Sequence, residues 1–224
     1  MTMKKILYLL ILNVLISVVV YSQQKTHNED FYSYWKQKYR KSVTENSYKL
    51  GFEKQTESFI DSLRQEGIDT IGGYIVTLPG WVSTSNCDYG TNSPWTAYVQ
   101  WEKTGKAFQK EFTQSCQFHE KSIEIAMIIR YYLNAYSKID KEIILPVITK
   151  IYRFPNGKIK YYVYDIAGHT PDYSIFCLIK NKVGFQRFYG NAVEDKTNLF
   201  YKRNIESTTN SWRKMIDNQL TRDN

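Results

Sequence analysis

The sequence predicts an α+β fold in which helices pack on a mostly antiparallel sheet. Three observations predict it: apolar residues at helical spacing over 122–136, strand-like segments on both sides of that helix, and short connections between neighbouring strands. Of the 224 residues, 42% are hydrophobic and 23% are charged, which excludes intrinsic disorder and a polytopic membrane protein.

Residues 1–22 have the layout of a cleavable secretory signal. Lys4 and Lys5 precede a largely apolar run over 6–20, which is shorter than the roughly 20 apolar residues that span a bilayer. We therefore expect cleavage between Ser22 and Gln23, an extracytoplasmic (periplasmic or secreted) mature chain, and no stable membrane span after processing.

A short polar lead-in over 23–30 is expected to precede a single domain over 31–224. Amphipathic spacing predicts helices over 31–41 and 48–66, and Gly67 is expected to end the second of them.

The strands before the central helix are predicted as one short segment and one hairpin. The short strand covers 74–78, and the hairpin joins 96–101 to 106–113 with Gly105 at the turn.

The segments after the central helix predict a four-strand antiparallel meander. Its strands are expected over 147–154, 159–166, 173–179 and 183–189. Asn191 with Glu194, and Ser207 ahead of an apolar periodic stretch, predict closing helices.

The turn 155–157 fixes the register of the first two of these strands. Pro155 lacks the backbone donor that a two-residue Asn-Gly hairpin needs, so we expect a turn with Gly157 in the left-handed region and Phe154 opposite Lys158.

In this register one face of the hairpin is basic and aromatic, and we take it as a candidate ligand-binding face. Its members include Lys150, Tyr152, Lys158, Lys160 and Tyr162. Tyrosine rings could stack on sugars or bases while the lysines attract carboxylate, sulfate or phosphate groups. The alternative is that a helix covers the tyrosines and only the lysine heads reach solvent.

A second candidate ligand-binding site lies in the long polar loop between Pro79 and Pro94 and at its end. It combines flat apolar rings with short hydrogen-bonding groups, the side chains of Trp81, Asn86, Asp88, Tyr89 and Trp95. The alternative is that the tryptophans pack back onto the sheet and anchor the loop.

Groups suited to catalysis are few, and the chain has only three histidines. His169 with Asp172 could form a general-base pair, and His119 with Glu120 is a second possibility that Glu124 could extend towards a metal site. Turn chemistry and helix-dipole effects explain the same residues without catalysis. No phosphate loop, nucleophile elbow or paired CxxC motif is present, and we predict no metal and no cofactor.

The cysteines are interpreted in the light of export. Cys87 and Cys116 lie in polar, loop-like sequence and are expected to form a disulfide, which would contribute roughly 3.5 kcal/mol to stability. Cys177 lies in an apolar stretch and is expected to be a buried free thiol.

Together these features favour an exported, non-enzymatic bacterial binding or interaction protein whose partner is an envelope glycan or another protein. The alternative is an exported hydrolase that uses one of the His-carboxylate pairs. The formal charge of +8 also raises nucleic-acid binding, but export and the lack of a concentrated basic run argue against such a partner.

Intact-mass measurement of the exported chain tests the signal and the disulfide together. We expect a chain that begins at Gln23 and is lighter than its fully reduced form by the two hydrogens that one disulfide removes. An unprocessed chain, or equal masses before and after reduction, would contradict the corresponding prediction.

Overall fold

The computed structural model describes residues 54–78, 94–114, 116–163, 170–180 and 182–222. The helices are α1 (Lys54–Gln65), α2 (Met127–Ile139), α3 (Asn191–Glu194), α4 (Tyr201–Ile205) and α5 (Thr208–Arg222). The strands are β1 (Thr70–Thr77), β2 (Trp95–Lys103), β3 (Lys106–Thr113), β4 (Lys121–Ile123), β5 (Ile148–Arg153), β6 (Ile159–Val163), β7 (Asp172–Ile179) and β8 (Lys182–Tyr189). The predicted signal over 1–22, the lead-in and the helix over 31–41 lie outside these residues. Within the described ranges, no helix is both long and apolar enough to cross a membrane.

The strands form a six-stranded antiparallel sheet in the order β4-β3-β2-β1-β7-β8, together with a separate two-stranded sheet of β5 and β6. The α+β class is therefore confirmed. The predicted hairpin of β2 and β3 is also present, and its two turn residues, Thr104 and Gly105, have positive φ angles of 51° and 76°. Two such residues between paired strands are the signature of a type I′ turn.

The predicted meander is wrong in one respect, because β7 pairs with β1 and β8 rather than with β6. The β5–β6 and β7–β8 hairpins do form. Seven of the eight residues of β7 are buried, and a strand apolar on both faces belongs in the interior of a sheet. The place beside β1 provides that burial, whereas the place beside β6 does not.

The central helix begins at Met127, five residues later than predicted, and it continues to Ile139. The preceding residues form β4, in which Ile123 lies opposite Ala107 of β3. The side-chain Oε1 of Gln100 accepts a hydrogen bond of 3.0 Å from the Ile128 N–H, one of the donors that a helix start leaves without an intrahelical partner. Pairing with β3 therefore determines the structure at 121–123, although the predicted helical spacing begins at 122.

Helices pack on both faces of the large sheet. On one face, Ile60 and Leu63 of α1 join Val99, Trp101 and Phe112 in one apolar cluster. On the other face, α2 and α5 lie together over a second cluster, in which the Trp212 indole N–H donates a 3.0 Å hydrogen bond to the Ile128 carbonyl. The predicted closing helix at Ser207 is thereby confirmed as α5, and the Ser207 hydroxyl accepts the Asn210 N–H at its start.

Three small residues lie side by side beneath α2: Gly72 of β1, Cys177 of β7 and Gly184 of β8. We call them the small-residue row. A Cβ at Gly72 would lie 2.7 Å from the Ile128 Cγ2, and one at Gly184 would lie 2.2 Å from the Tyr132 ring. Because side chains at these positions would collide with α2, the glycines allow the helix to lie directly on the sheet.

Buried tyrosines form the contact between the sheet and α5. Tyr74 stacks with Tyr98 and Tyr173 at ring-centroid distances of 6.5 Å and 6.2 Å. The Tyr74 hydroxyl donates to Asp217 Oδ1 at 2.7 Å, and the Arg213 guanidinium lies 4.8 Å from the Tyr173 ring centroid. Burial raises the pKa of Tyr74 well above its usual value, and the Asp217 carboxylate raises it further.

Of the three cysteines, Cys177 is confirmed as a buried free thiol, and burial raises its pKa to about 12. Cys116 lies within the described residues but Cys87 does not, so the Cys87–Cys116 disulfide stays a prediction.

A methyl group at Gly184 is expected to destabilise the fold. The Gly184→Ala variant forces its Cβ against the Tyr132 ring, and overpacking of this kind costs about 1–3 kcal/mol. Urea unfolding followed by circular dichroism measures the cost. In a Tyr132→Leu background the added cost of Gly184→Ala is expected to shrink, since the double-mutant cycle removes the colliding ring. An equal cost in both backgrounds would contradict the proposed contact.

Stability is expected to fall at alkaline pH. Burial raises the pKa of Tyr74, Tyr98, Tyr132 and Tyr173, so the fold favours their neutral phenols. Their contribution is complete below the unfolded-state pKa of about 10 and is lost as the pH rises through the higher folded-state pKa values. Phenolate absorbance and circular dichroism, recorded together, should show part of the tyrosine ionisation coinciding with unfolding. Complete ionisation of all tyrosines in a chain that remains folded would contradict this expectation.

Candidate binding surface on the β5–β6 hairpin

The register of the β5–β6 hairpin is the one that the sequence predicts. The Phe154 N–H donates to the Lys158 carbonyl at 2.9 Å, and the Gly157 N–H donates back to the Phe154 carbonyl at 3.0 Å. Gly157 has φ +77°, as a left-handed turn residue requires. The Asn156 side chain closes the turn by accepting the Lys158 N–H at 3.1 Å.

One face of this hairpin consists of three lysine–aromatic pairs across the strands. Lys150 lies opposite Tyr162 and Tyr152 lies opposite Lys160, while Phe154 and Lys158 face each other at the turn. We call these six residues the hairpin face. Because the pairing alternates, each ring has a lysine across from it.

The rings of the hairpin face are open to solvent. Tyr152, Phe154 and Tyr162 are 47%, 48% and 49% exposed, and all three lysines are exposed. The alternative in which a helix covers the tyrosines is therefore wrong for these residues. Tyr152 and Tyr162 meet edge to face at 5.6 Å, and the Lys160 Nζ lies 5.3 Å from the Tyr162 ring centroid.

The charge of the hairpin is of one sign. Between 148 and 163 the sequence contains three lysines and one arginine and no aspartate or glutamate, which gives this segment a formal charge of +4. Among the ion pairs of the described residues, none involves Lys150, Lys158 or Lys160. An anionic group that approaches the rings therefore meets lysines that form no ion pair with a carboxylate of the described residues.

Two buried asparagines, Asn198 before α4 and Asn204 within it, hold the start of β5 and the segment before it. The Asn198 Oδ1 accepts the Ile148 N–H at 3.3 Å, and the Leu199 N–H donates to the Ile148 carbonyl at 2.9 Å. Asn204 exchanges two hydrogen bonds with the backbone of Leu145, of 3.1 Å and 2.7 Å. These bonds hold one end of the hairpin against the C-terminal part of the chain.

Of the second predicted site, only Trp95 lies within the described residues, and Trp81, Asn86, Asp88 and Tyr89 lie outside them. Trp95 begins β2 opposite Thr77, and its half-buried ring packs against the apolar cluster beneath α1. This position agrees with the alternative in which the tryptophan anchors the loop.

The described part of the chain does not enclose a site at His119 and Glu120. His119 and Glu120 are both exposed, and Glu124 precedes α2, so the two glutamates are not one helical turn apart. No group of three or more histidine, cysteine, aspartate or glutamate residues suited to a metal occurs among the described residues.

His169 lies outside the described residues, and its predicted partner Asp172 has another neighbour. Asp172 is only 6% exposed, and its Oδ2 accepts hydrogen bonds from Arg187, the one from Nε at 2.9 Å. Sequence reasoning missed Arg187, although a basic residue two positions before the end of the next strand was a signal for such a diagonal contact.

A concavity of about 520 Å³ also lies beside α2, and its lining includes Glu102, Arg130, Tyr131 and Met215. An adjacent concavity of about 400 Å³ shares Tyr131 with it. Neither is lined by His119 or Asp172, so these concavities give no support to the predicted pairs.

Comparison with protein-family models, with curated proteins and with solved structures finds no match to this chain. The functional argument therefore depends on the residues themselves.

Proposed function

We propose that the protein is an exported, non-enzymatic binding protein of the bacterial envelope that holds an anionic glycan on its hairpin face. The observation that carries the proposal is the alternation of three exposed rings with three exposed lysines. The signal-like N-terminus supports the location, and the net positive charge of the hairpin supports the sign of the ligand.

The chemistry of the face suits a polysaccharide that carries carboxylate or sulfate groups. Flat rings pack against the apolar faces of sugar rings, and lysine ammonium groups attract anions in any direction because they are point charges. A row of paired rings and cations extends along two strands, so a linear polymer can contact several pairs at once.

The alternative of an exported hydrolase receives less support. The carboxylate of Asp172 is held by Arg187, and His119 and Glu120 are both exposed. A protein partner on the same hairpin face is the other possibility that the sequence leaves open.

Affinity electrophoresis in gels that contain polygalacturonate, dextran sulfate or neutral dextran tests the proposal. We expect the two anionic polymers to retard the wild-type chain and neutral dextran to have little effect. Tyr152→Ala and Tyr162→Ala are each expected to weaken binding about tenfold, equivalent to about 1.4 kcal/mol, because each removes one stacking surface. Lys160→Gln is expected to weaken binding and to reduce its salt dependence.

Matched controls separate the hairpin face from general charge and hydrophobicity. Tyr136 is an exposed tyrosine on α2 and Lys214 an exposed lysine on α5, so Tyr136→Ala and Lys214→Gln should leave binding unchanged. Unchanged binding in the Tyr152 and Tyr162 variants, or equal retention by duplex DNA, would show that charge alone drives the interaction and would overturn the proposal.

A further inference from the structure

The outer edge of β8 is the longest sheet edge that the described strands leave without a partner strand. At the opposite edge of the six-stranded sheet, β4 has three residues, whereas β8 has eight. Its pairing with β7 runs without a register shift from Lys182 to Tyr189, so no bulge bends the strand away. Edges of this kind are templates for another strand unless a proline, a bulge or inward-pointing charges protect them.

The hydrogen bonds identify which residues of β8 face outwards. The Gly190 N–H donates to the Pro171 carbonyl at 2.7 Å, which continues the β7–β8 ladder beyond the strand. Since backbone direction alternates along an antiparallel strand, residues 184, 186 and 188 also turn their backbone groups towards β7. The backbone groups of the odd-numbered residues, Val183, Phe185, Arg187 and Tyr189, therefore point to the edge.

The side chains of these four residues share one face of the sheet and are accessible at both ends of the strand. Val183 and Tyr189 are 44% and 49% exposed, and Phe185 is half-buried. Arg187 is bonded to Asp172, so its charge is already compensated within the chain. On this face the edge thus presents an apolar residue near each end of the strand with little net charge between them, while the exposed Lys182 begins the strand.

We propose that a second copy of this chain pairs with β8 in antiparallel orientation, about a two-fold axis at Gln186. Opposed residues in an antiparallel pair point to the same face, so odd-numbered residues must meet odd-numbered ones. An axis at Gln186 places Val183 opposite Tyr189 and Phe185 opposite Arg187, an apolar pair and a ring–guanidinium pair on each side.

Neighbouring registers fit less well. An axis at Arg187 sets two arginines directly opposite each other and leaves Val183 opposite position 191, beyond the end of the strand. An axis at Phe185 leaves Tyr189 opposite position 181, beyond the end of the strand. The strand is therefore complementary to itself in one register, which favours a second copy over an unrelated extended peptide.

Register-specific cross-linking tests the pairing. Chains carrying Val183→Cys and chains carrying Tyr189→Cys are mixed and mildly oxidised, and we expect a disulfide-linked heterodimer because opposed Cα atoms at such pairs lie about 5.5 Å apart. Neither variant alone should cross-link, since the two copies of position 183 lie six residues apart along the strands, about 20 Å. The wild-type chain, oxidised in parallel, controls for its own cysteines.

Sedimentation velocity over a range of concentrations provides the second readout. The wild-type chain is expected to shift towards a dimer as its concentration rises, and Val183→Lys should weaken the dimer at least tenfold. Met215→Lys, an equivalent change at an exposed position on α5, should not. A wild-type chain that stays monomeric at all concentrations, or a mixture that forms no more cross-link than either variant alone, would overturn the proposal.

Discussion

The seating of α2 on the small-residue row is the contact on which the rest of the described structure depends. Gly72 and Gly184 leave space that Ile128 and Tyr132 fill, so the helix axis lies closer to the sheet than larger residues would allow. The Ile128 carbonyl then accepts the Trp212 indole N–H, which ties α5 to α2. At the other end of α2, the Gln186 amide donates to the Ile139 carbonyl at 2.7 Å.

The segment between α2 and β5 connects this packing to the hairpin that carries the hairpin face. The segment 143–148 is largely buried, and its backbone at Leu145 and Ile148 is held by Asn204 of α4 and by Asn198, which precedes α4. The body of the molecule is thus built from apolar packing, with amide side chains at the points where helices and loops begin. The hairpin face itself contributes little to that packing because its rings point into solvent.

Local rules predicted those parts of the fold that nearby residues decide. Pro155 and Gly157 fix the turn and register of β5–β6, and Gly105 fixes the turn of β2–β3, because φ restrictions act within a few residues. The place of β7 was not predictable in this way, since its partner β1 lies about a hundred residues earlier in the chain. The late start of α2 has a similar cause, the pairing of Ile123 with Ala107. Exposure of Tyr152 and Tyr162 also depends on distant elements, so the sequence supplied the candidate face but could not decide between an open and a covered surface.

In the exported protein that we propose, the buried thiol of Cys177 would set an order of events during oxidative folding. Before the sheet is assembled, three thiols allow three different single bridges, and two of them would trap Cys177 in a wrong partnership. Once α2 covers the strand, the thiol is inaccessible and its elevated pKa keeps it from acting as a thiolate. If α2 packs on the sheet before oxidation, Cys177 is protected from forming a wrong disulfide. Cys87 and Cys116 then remain as the pair that can react.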